Sequence, residues 1–402
     1  MSETLIGVPV LAGSFVLALI LGAIGNKTHF CTLGGVSDWV NMNDKGRLGA
    51  WFLAIAVAAL GVAGLEIMEL INLDATLPPY RSSNFSWLRY VLGGLLFGIG
   101  MPLASGCASK TLIRLGGGNL KSLVVFVVIG LCAYLMTKTA FYGVVFHSWM
   151  QPLSLDLAAF GLTSQDLGSL LAGVSGLGDP EHIRLGLSVL LALGVVLFIQ
   201  RSAGWRGNGN NIMAGTVVGL CILGGWYLTA GPWGQDWIEA AEWLDEPPLG
   251  VSIQSCTIGN PLGETLSYAT EPGNSLLLTF GVVAVFGVII GSFCYALFSH
   301  SLRFEWFQSW DDFIRHIAGG ALMGIGGVLA MGCTIGQGIT GMSTLALGSL
   351  LALTSIILGC AATMKIQLYR MVYEDASWLD ALITGCVDLR LLPGSLRRLE
   401  AV

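Results

Sequence analysis

The stretch MGCTIGQGITGMSTLALGS at residues 331–349 interrupts an apolar run with five glycines, a cysteine and several polar side chains. Gln337, Thr340 and Ser343 stand where simple helix packing in a membrane has no use for them. Irregular backbone is tolerated at membrane depth only where it is buried in protein or lines a polar path. The stretch therefore predicts a re-entrant elbow, in which a short helix points its free N–H groups inward, an arrangement that suits an anion.

A second interruption, ASGCASKTLIRLGGGNLKS at residues 104–122, resembles the first. GLLFGIGMPLASGC at 94–107 and GALMGIGGVLAMGC at 320–333 are identical at nine aligned positions. CTLGG from Cys31 and CTIGN from Cys256 form another pair at nearly the same spacing from their downstream partners. Two anchors at one offset indicate an internal duplication. Within the GGLLFGIG and GGALMGIG parts, we interpret the glycines as helix-packing residues.

The composition indicates a polytopic membrane protein of all-α fold. Of the 402 residues, 54% are hydrophobic and 11% are charged, whereas soluble domains carry about 25% charged residues. The net charge of −6 is small and scattered, which argues against a nucleic-acid partner. Spanning helices need about 20 apolar residues, and nine are predicted, together with re-entrant short helices. The predicted spans are 8–24, 49–71, 88–105, 121–141, 184–200, 212–231, 275–299, 314–331 and 344–363.

The distribution of Lys and Arg predicts the orientation, because these residues concentrate in cytoplasmic loops. The long loops 142–183 and 232–274 contain neither residue. This places the N-terminus outside and the C-terminus in the cytoplasm, with Arg81 as the one dissenting charge. The first and sixth spans then run in opposite directions, so the duplicated halves form an inverted repeat. The predicted divisions are a first half at 1–141, an outer loop and connector helix at 142–211, a second half at 212–364 and a cytoplasmic tail at 365–402.

The chain has nine cysteines and no CxxC pair, which argues against redox, zinc or iron–sulfur sites and predicts no metal or cofactor. Cys31, Cys107, Cys256 and Cys333 stand at the repeat-related breaks. A thiol is a weak, polarisable donor, so neutral S–H groups along an anion path suit a sulfur-bearing anion. We predict substrate contacts from six side chains: Cys31, Cys107, Cys333, Gln337, Ser343 and Cys256.

Three segments carry a resemblance to a known family: HFCTLGG at 29–35, GCASKTLIRLGGGNLKSLVV at 106–125 and GCTIGQGITGMSTLALGSLLAL at 332–353. At these segments the chain resembles the YeeE/YedE family of bacterial sulfur-transport membrane proteins. The resemblance implies an hourglass-shaped inverted repeat that takes up thiosulfate. It also implies that Cys31, Cys107 and Cys333 are the essential thiols, and that a small cytosolic TusA-like sulfur carrier is a partner.

The sequence and the resemblance together predict a bacterial inner-membrane importer of thiosulfate or a related inorganic sulfur anion, and not an enzyme. Two alternatives remain open at this point. One is a membrane thiol oxidoreductase or sulfurtransferase that forms a persulfide on Cys107 or Cys333. The other is a transporter or channel for another sulfur or selenium species, because the long outer loops and the Lys27 and His29 side chains near Cys31 depart from the family pattern.

Overall fold

A computed structural model describes residues 6–176, 178–201, 208–373 and 375–400. Its helices are α1 Val8–Thr28, α2 Thr32–Met42, α3 Gly46–Ile67, α4 Trp87–Leu103, α5 Ala108–Gly116, α6 Leu120–Lys138, α7 Ser148–Met150, α8 Leu167–Ser175, α9 Pro180–Arg201, α10 Gly209–Ala230, α11 Pro232–Glu242, α12 Gly259–Thr270, α13 Phe280–Phe298, α14 Trp310–Leu329, α15 Leu347–Val372 and α16 Trp378–Asp388. Two short antiparallel strands, β1 Asn84–Phe85 and β2 Leu155–Asp156, pair with each other.

The all-α polytopic fold is confirmed. Eight helical segments among the described residues are long and apolar enough to cross a membrane, and each of the nine predicted spans falls on a long helix. The helix outside the eight is α14, whose first two turns carry Asp311, Asp312 and Arg315. Along 154–175, where the residue spacing is helical, the structure has strand β2, a 3₁₀ turn at Leu157–Phe160 and only the short helix α8.

Local sequence signals explain where these helices begin. The Asn119 side chain accepts a hydrogen bond from the Ser122 amide at the start of α6, and Thr279 and Ser309 cap α13 and α14 in the same way. Such caps satisfy N–H groups that otherwise lack an intrahelical partner. Helix α9 leaves Leu190, with 69% of its surface exposed, on the outside of the bundle, as expected of a helix that faces lipid.

The helix contacts follow the predicted duplication, because each contact described next has an equivalent contact between the corresponding helices of the other half. Helix α1 packs on α13, and α10 packs on α3. Helix α4 packs on α15, and α14 packs on α6. Glycine permits these close approaches: a Cβ built on Gly98 would lie 2.3 Å from the Ile356 carbonyl oxygen, and one on Gly324 would lie 2.6 Å from Cys132 Cβ. The packing interpretation of these glycine-rich segments agrees with this geometry, whereas the exact division of the chain into halves stays a prediction.

The connecting segments gather on two opposite sides of the bundle. On the first, β1 pairs with β2, Thr76 bridges to Ile253, and Asp166 bridges to Ala346. We call this side, formed by the connections 68–86, 139–176, 243–258 and 342–346, the loop-rich face. On the second, Asn119 bridges to Glu305. We call this side, formed by the connections 43–45, 117–119 and 299–309, the basic face.

Candidate functional site: two cysteine elbows

Two breaks in the bundle have the same backbone geometry. Helix α4 ends at Leu103, the chain turns through Ser105 at φ 57°, and Cys107 becomes the N-cap of α5. Helix α14 ends at Leu329, and the chain turns through Met331 at φ 56° two residues before Cys333. The left-handed conformation at these non-glycine positions is uncommon, and the same turn occurs twice. We call residues 104–116 elbow 1 and residues 330–346 elbow 2.

The break at Cys31 follows the same rule. Helix α1 is closed by His29 at φ 53°, and Cys31 is the N-cap of α2. Its repeat partner Cys256 departs from the rule, because the following helix α12 begins only at Gly259. Three of the four break cysteines therefore stand two residues after a left-handed turn. Those three are the cysteines that the family resemblance singles out.

The three thiols meet inside the protein. Cys107 and Cys333 have no exposed surface, Cys31 is 9% exposed, and all three belong to one core cluster. The Cys31 and Cys107 thiols lie within interaction range of each other, and Cys107 also faces the Thr334 hydroxyl beside Cys333. Cys107 Sγ lies 3.2 Å from Ser109 Oγ. Because the elbows meet in the interior, neither Cys107 nor Cys333 faces lipid.

Helix N-termini give this junction a positive electrostatic character. Helices α2 and α5 begin directly after Cys31 and Cys107. A Cβ placed on Gly259, the first residue of α12, would lie 3.7 Å from the Cys333 amide nitrogen. The Gly336 N–H donates to Cys333 Sγ at 3.4 Å. Free N–H groups and aligned peptide dipoles at helix starts favour anions, so the junction suits a negatively charged guest.

Gln337 and Ser343 stabilise elbow 2 through hydrogen bonds to neighbouring protein groups. Gln337 Nε2 donates to the Ala330 carbonyl at 2.6 Å, and its Oε1 accepts from Ser349 at 2.6 Å. Ser343 Oγ donates to the Thr340 carbonyl at 2.6 Å and accepts from Trp226 Nε1 at 3.0 Å. Both side chains have direct protein partners, and their hydrogen bonds fix the shape of the elbow.

Cys256 is also buried beside elbow 2. Its carbonyl oxygen accepts a hydrogen bond from Thr340 Oγ1 at 2.6 Å, and its thiol lies within electrostatic range of Cys221. The structure therefore brings Cys31, Cys107 and Cys333 together and places Cys256 in the wall behind them.

Tyr80 is a support residue that the sequence reasoning missed. Its hydroxyl donates to the Gly336 carbonyl of elbow 2 at 2.7 Å, across 256 residues of sequence. Burial, followed by the nearby Cys333, raises the pKa of Tyr80 well above its ordinary value, so the phenol stays neutral and donates. No local motif identifies this residue. The neighbouring residue gives a weak sequence signal that this segment is buried: Arg81 is an isolated charge in a predicted outer loop. In the structure, Arg81 forms a buried ion pair with Glu66.

Three buried polar atoms at the junction form no hydrogen bond within the described part of the protein. They are Thr334 Oγ1, Thr257 Oγ1 and Trp51 Nε1. A Cβ built on Gly336 would lie 2.3 Å from Thr257 Oγ1, and one on Gly338 would lie 2.4 Å from Trp51 Cζ2, which places both side chains against elbow 2. Buried polar groups are normally hydrogen-bonded. Thr257 and Trp51 therefore keep an unused donor beside elbow 2, whereas the Thr334 hydroxyl lies against Cys107.

Each elbow is accompanied by a cavity on a different face. A cavity of about 310 Å³ reaches Met331 of elbow 2 from the loop-rich face, and one of about 90 Å³ reaches Ser105 of elbow 1 from the basic face. A larger cavity, about 480 Å³, lies elsewhere and is lined by four carboxylates and one arginine: Glu66, Glu69, Asp74, Glu181 and Arg184. Its carboxylates outnumber its one arginine, so its lining is net negative and unfavourable to an anion, whereas the two carboxylates of the 90 Å³ cavity are balanced by Arg114 and Lys121. The described residues contain no group of three or more His, Cys, Asp or Glu side chains arranged to hold a metal ion.

Comparison with known proteins places this geometry in a family. A family model described as sulphur transport matches residues 27–362. The thiosulfate transporter TsuA of Escherichia coli K12 is 26% identical over 351 residues, which cover 85% of this chain and 90% of that protein. The thiosulfate transporter TsuA of Spirochaeta thermophila is 26% identical over 294 residues, covering 67% and 74% respectively. The match to the family model extends over well over half of the chain, and the protein therefore belongs to the sulphur transport family, as a multi-pass membrane transporter rather than an enzyme.

Proposed function

We propose that this protein imports thiosulfate, or a closely related inorganic sulfur anion, through the junction of its two elbows. The observation that carries the proposal is the meeting of Cys31, Cys107 and Cys333 in the core, with Cys31 and Cys107 at helix starts. The two elbows are reached by cavities on opposite faces. Both relatives compared above are thiosulfate transporters.

The thiols act as non-covalent contacts in this mechanism. Thiosulfate carries a soft terminal sulfur and three oxygens, so it accepts hydrogen bonds of different strength at its two ends. We infer that Cys333 receives the anion first and that Cys107 and Cys31 receive it next, each through an S–H donor. Several weak contacts in series allow release as well as capture. The helix starts offset part of the cost of bringing a dianion to membrane depth.

Gln337, Ser343 and Cys256 complete the proposed site in a supporting role. The hydrogen bonds of Gln337 and Ser343 hold elbow 2 in shape, and the Cys256 carbonyl anchors Thr340. The unpartnered Thr257 and Trp51 donors supply further contacts to the oxygens of the guest. A substrate contact from Gln337 or Ser343 itself would require exchange of a hydrogen bond that each already makes.

The proposed location is a bacterial inner membrane, with the N-terminus outside and the C-terminus in the cytoplasm. The loop-rich face then lies outside and the basic face inside, in agreement with the concentration of Lys and Arg in cytoplasmic loops. A cytosolic TusA-like sulfur carrier would receive the anion at the basic face.

The test is uptake of sulfur-35-labelled thiosulfate into proteoliposomes. Cys107→Ala and Cys333→Ala should each reduce uptake at least tenfold, because each removes a donor from the junction that the two elbows share. Cys386→Ala is the matched control, since Cys386 is a half-buried free cysteine in α16, which follows the last predicted span. Persistent uptake in both elbow variants contradicts the thiol route.

Two further measurements define the substrate and the chemistry. Competition by unlabelled sulfate, sulfite and selenite ranks the anions that the site accepts. Mass spectrometry of the purified protein after exposure to thiosulfate should find unmodified Cys107 and Cys333. A stable persulfide on either residue would contradict simple passage.

A further inference from the structure

The cavity beside elbow 2 contains an arginine with no acidic partner among the described residues. Arg89 lies in the first turn of α4 and lines the 310 Å³ cavity together with Tyr142, Asn260 and Met331. The Arg89 guanidinium carbon lies 5.0 Å from the centre of the Tyr142 ring. Its Nη2 makes one long contact, 3.5 Å, to the Val328 carbonyl oxygen.

Two polar groups of this cavity are buried without a hydrogen bond. Arg89 Nε and the Asn260 side-chain amide oxygen form none to any described residue. The cavity wall contains no Asp or Glu among its described residues. The other arginines of the loop-rich face behave differently, because Arg81 pairs with Glu66 and Arg184 approaches Asp166 at 3.6 Å. Arg89 is thus the unneutralised charge at this position.

An unpaired guanidinium in an apolar wall is costly unless an anion neutralises it. Its planar fork of N–H donors matches the paired oxygens of an oxyanion, a geometry that lysine does not reproduce. The Tyr142 ring holds the guanidinium by a cation–π contact and uses none of its donors. Met331, on the same wall, stands two residues before Cys333.

We propose that Arg89 is the outer recruitment residue, which binds a tetrahedral sulfur oxyanion in this cavity before the anion reaches Cys333. The inference rests on the proposed function and deepens it by naming the group that selects negative charge at the loop-rich face. Arg89 positions the anion and takes no part in its passage through the thiols.

Uptake kinetics provide the first test. Arg89→Gln should raise the KM for thiosulfate about tenfold and leave the maximal rate within about twofold, because a group that only recruits contributes binding and not passage. Arg89→Lys should recover part of the loss. Lys138→Gln is the matched control: Lys138 is an exposed cation at the end of α6, next to the cavity residue Thr137. Parent KM in Arg89→Gln would overturn the inference.

A second test does not depend on the substrate. Met331→Cys places a reporter thiol on the cavity wall, and impermeant anionic and cationic methanethiosulfonate reagents are added to intact cells. Fragment-ion mass spectrometry, which separates labelling at residue 331 from labelling at Cys333 on the same peptide, gives the ratio of the two labelling rates. Combined with Met331→Cys, Arg89→Gln should lower the anionic-to-cationic ratio several-fold, whereas Lys138→Gln should not.

The two tests separate the inference from the proposed function. A reduced ratio in a protein that carries no thiosulfate refutes the proposed substrate and retains Arg89 as an anion site. An unchanged ratio in a folded Arg89→Gln protein refutes the role of Arg89, whatever the uptake shows. If Arg89→Gln does not fold, Arg89→Lys decides, because a purely structural charge would be fully replaced by lysine in both measurements.

Discussion

Elbow 1 and elbow 2 share a turn but differ in chemistry. Three residues after the cysteine, elbow 1 has Lys110 and elbow 2 has Gly336. Seven residues after it, elbow 1 has Arg114 and elbow 2 has Thr340. The Arg114 guanidinium donates to the Ser105 carbonyl at 2.7 Å. One elbow is therefore cationic, and the other consists of neutral groups that are buried except for Met331.

The two elbows also differ in packing. Elbow 1 continues as a regular helix, α5, whereas elbow 2 continues as a π-helical turn at Gly336–Gly341. π-Helical turns are rare and often accompany functional sites. A Cβ on Gly106 of elbow 1 would meet its nearest neighbour at 3.4 Å, and one on Gly338 of elbow 2 would lie 2.4 Å from Trp51. Elbow 1 is also tightly packed where α5 ends, because a Cβ on Gly116 would lie 2.4 Å from the Ile289 carbonyl oxygen. Duplicated segments can thus keep one backbone turn while one copy becomes charged and the other forms a neutral π-helical turn.

The largest expected effect comes from adding a methyl group to each elbow. Gly338→Ala should reduce thiosulfate uptake at least tenfold, because the fully buried and rigid Trp51 ring cannot move aside for the new Cβ. Overpacking of this kind costs about 1–3 kcal/mol. Gly106→Ala should change uptake by less than about threefold, because its nearest contacts are of ordinary van der Waals length.

Uptake is measured in proteoliposomes, and thermal unfolding is followed by tryptophan emission to separate misfolding from a closed route. Equal loss of uptake in the two variants would contradict the contrast between the packed position 338 and the open position 106.

The sequence predicts the elbows and the spans because both have local causes. Apolar runs of membrane length require helices, and repeated glycines beside Cys107 and Cys333 require a break. The contacts that complete the site are not local. The approach of the free Cys31 and Cys107 thiols and the hydrogen bond from Tyr80 to Gly336 join residues far apart in sequence. No sequence periodicity predicts either contact.

Gln337 and Ser343 illustrate the limit of pattern reading. Their polarity within an apolar stretch shows that the break is not simple packing, but polarity does not show which way a side chain points. In the structure both are hydrogen-bonded to protein groups. Arg81 gives the complementary lesson: a charge that disagrees with the orientation rule is held by Glu66 inside the protein, so it carries no information about orientation.

A smaller effect should follow from removing the brace that only elbow 2 contains. Gln337→Leu leaves the Ala330 carbonyl and the Ser349 hydroxyl without their buried partner. Each such group costs about 1–3 kcal/mol, so the variant should unfold at a clearly lower temperature. Thr111→Val, at the matched position of elbow 1, removes only a bond from the Thr111 hydroxyl to the Cys107 carbonyl. A loss of stability in Thr111→Val as large as that in Gln337→Leu would contradict this contrast.

The smallest expected effect concerns Lys110, one of the two cationic side chains that distinguish elbow 1 from elbow 2. Lys110 lies within electrostatic range of Cys31 and Cys107, and it forms no ion pair with any described residue. An anion that leaves these thiols toward the basic face would meet this ammonium group next. Lys110→Gln should therefore lower the maximal uptake rate about threefold, with little change in KM, because the attraction acts after capture.

The control for this effect is Lys27→Gln, since Lys27 is an exposed cation at the end of α1 and its Nζ lies 4.0 Å from Met213 Sδ. High ionic strength should reduce the effect of Lys110→Gln only in part, because a half-buried charge is screened less than an exposed one. If Lys110→Gln raises KM and leaves the maximal rate unchanged, Lys110 takes part in capturing the anion. That result would contradict the assignment of capture to the side of elbow 2 and of release to the side of elbow 1.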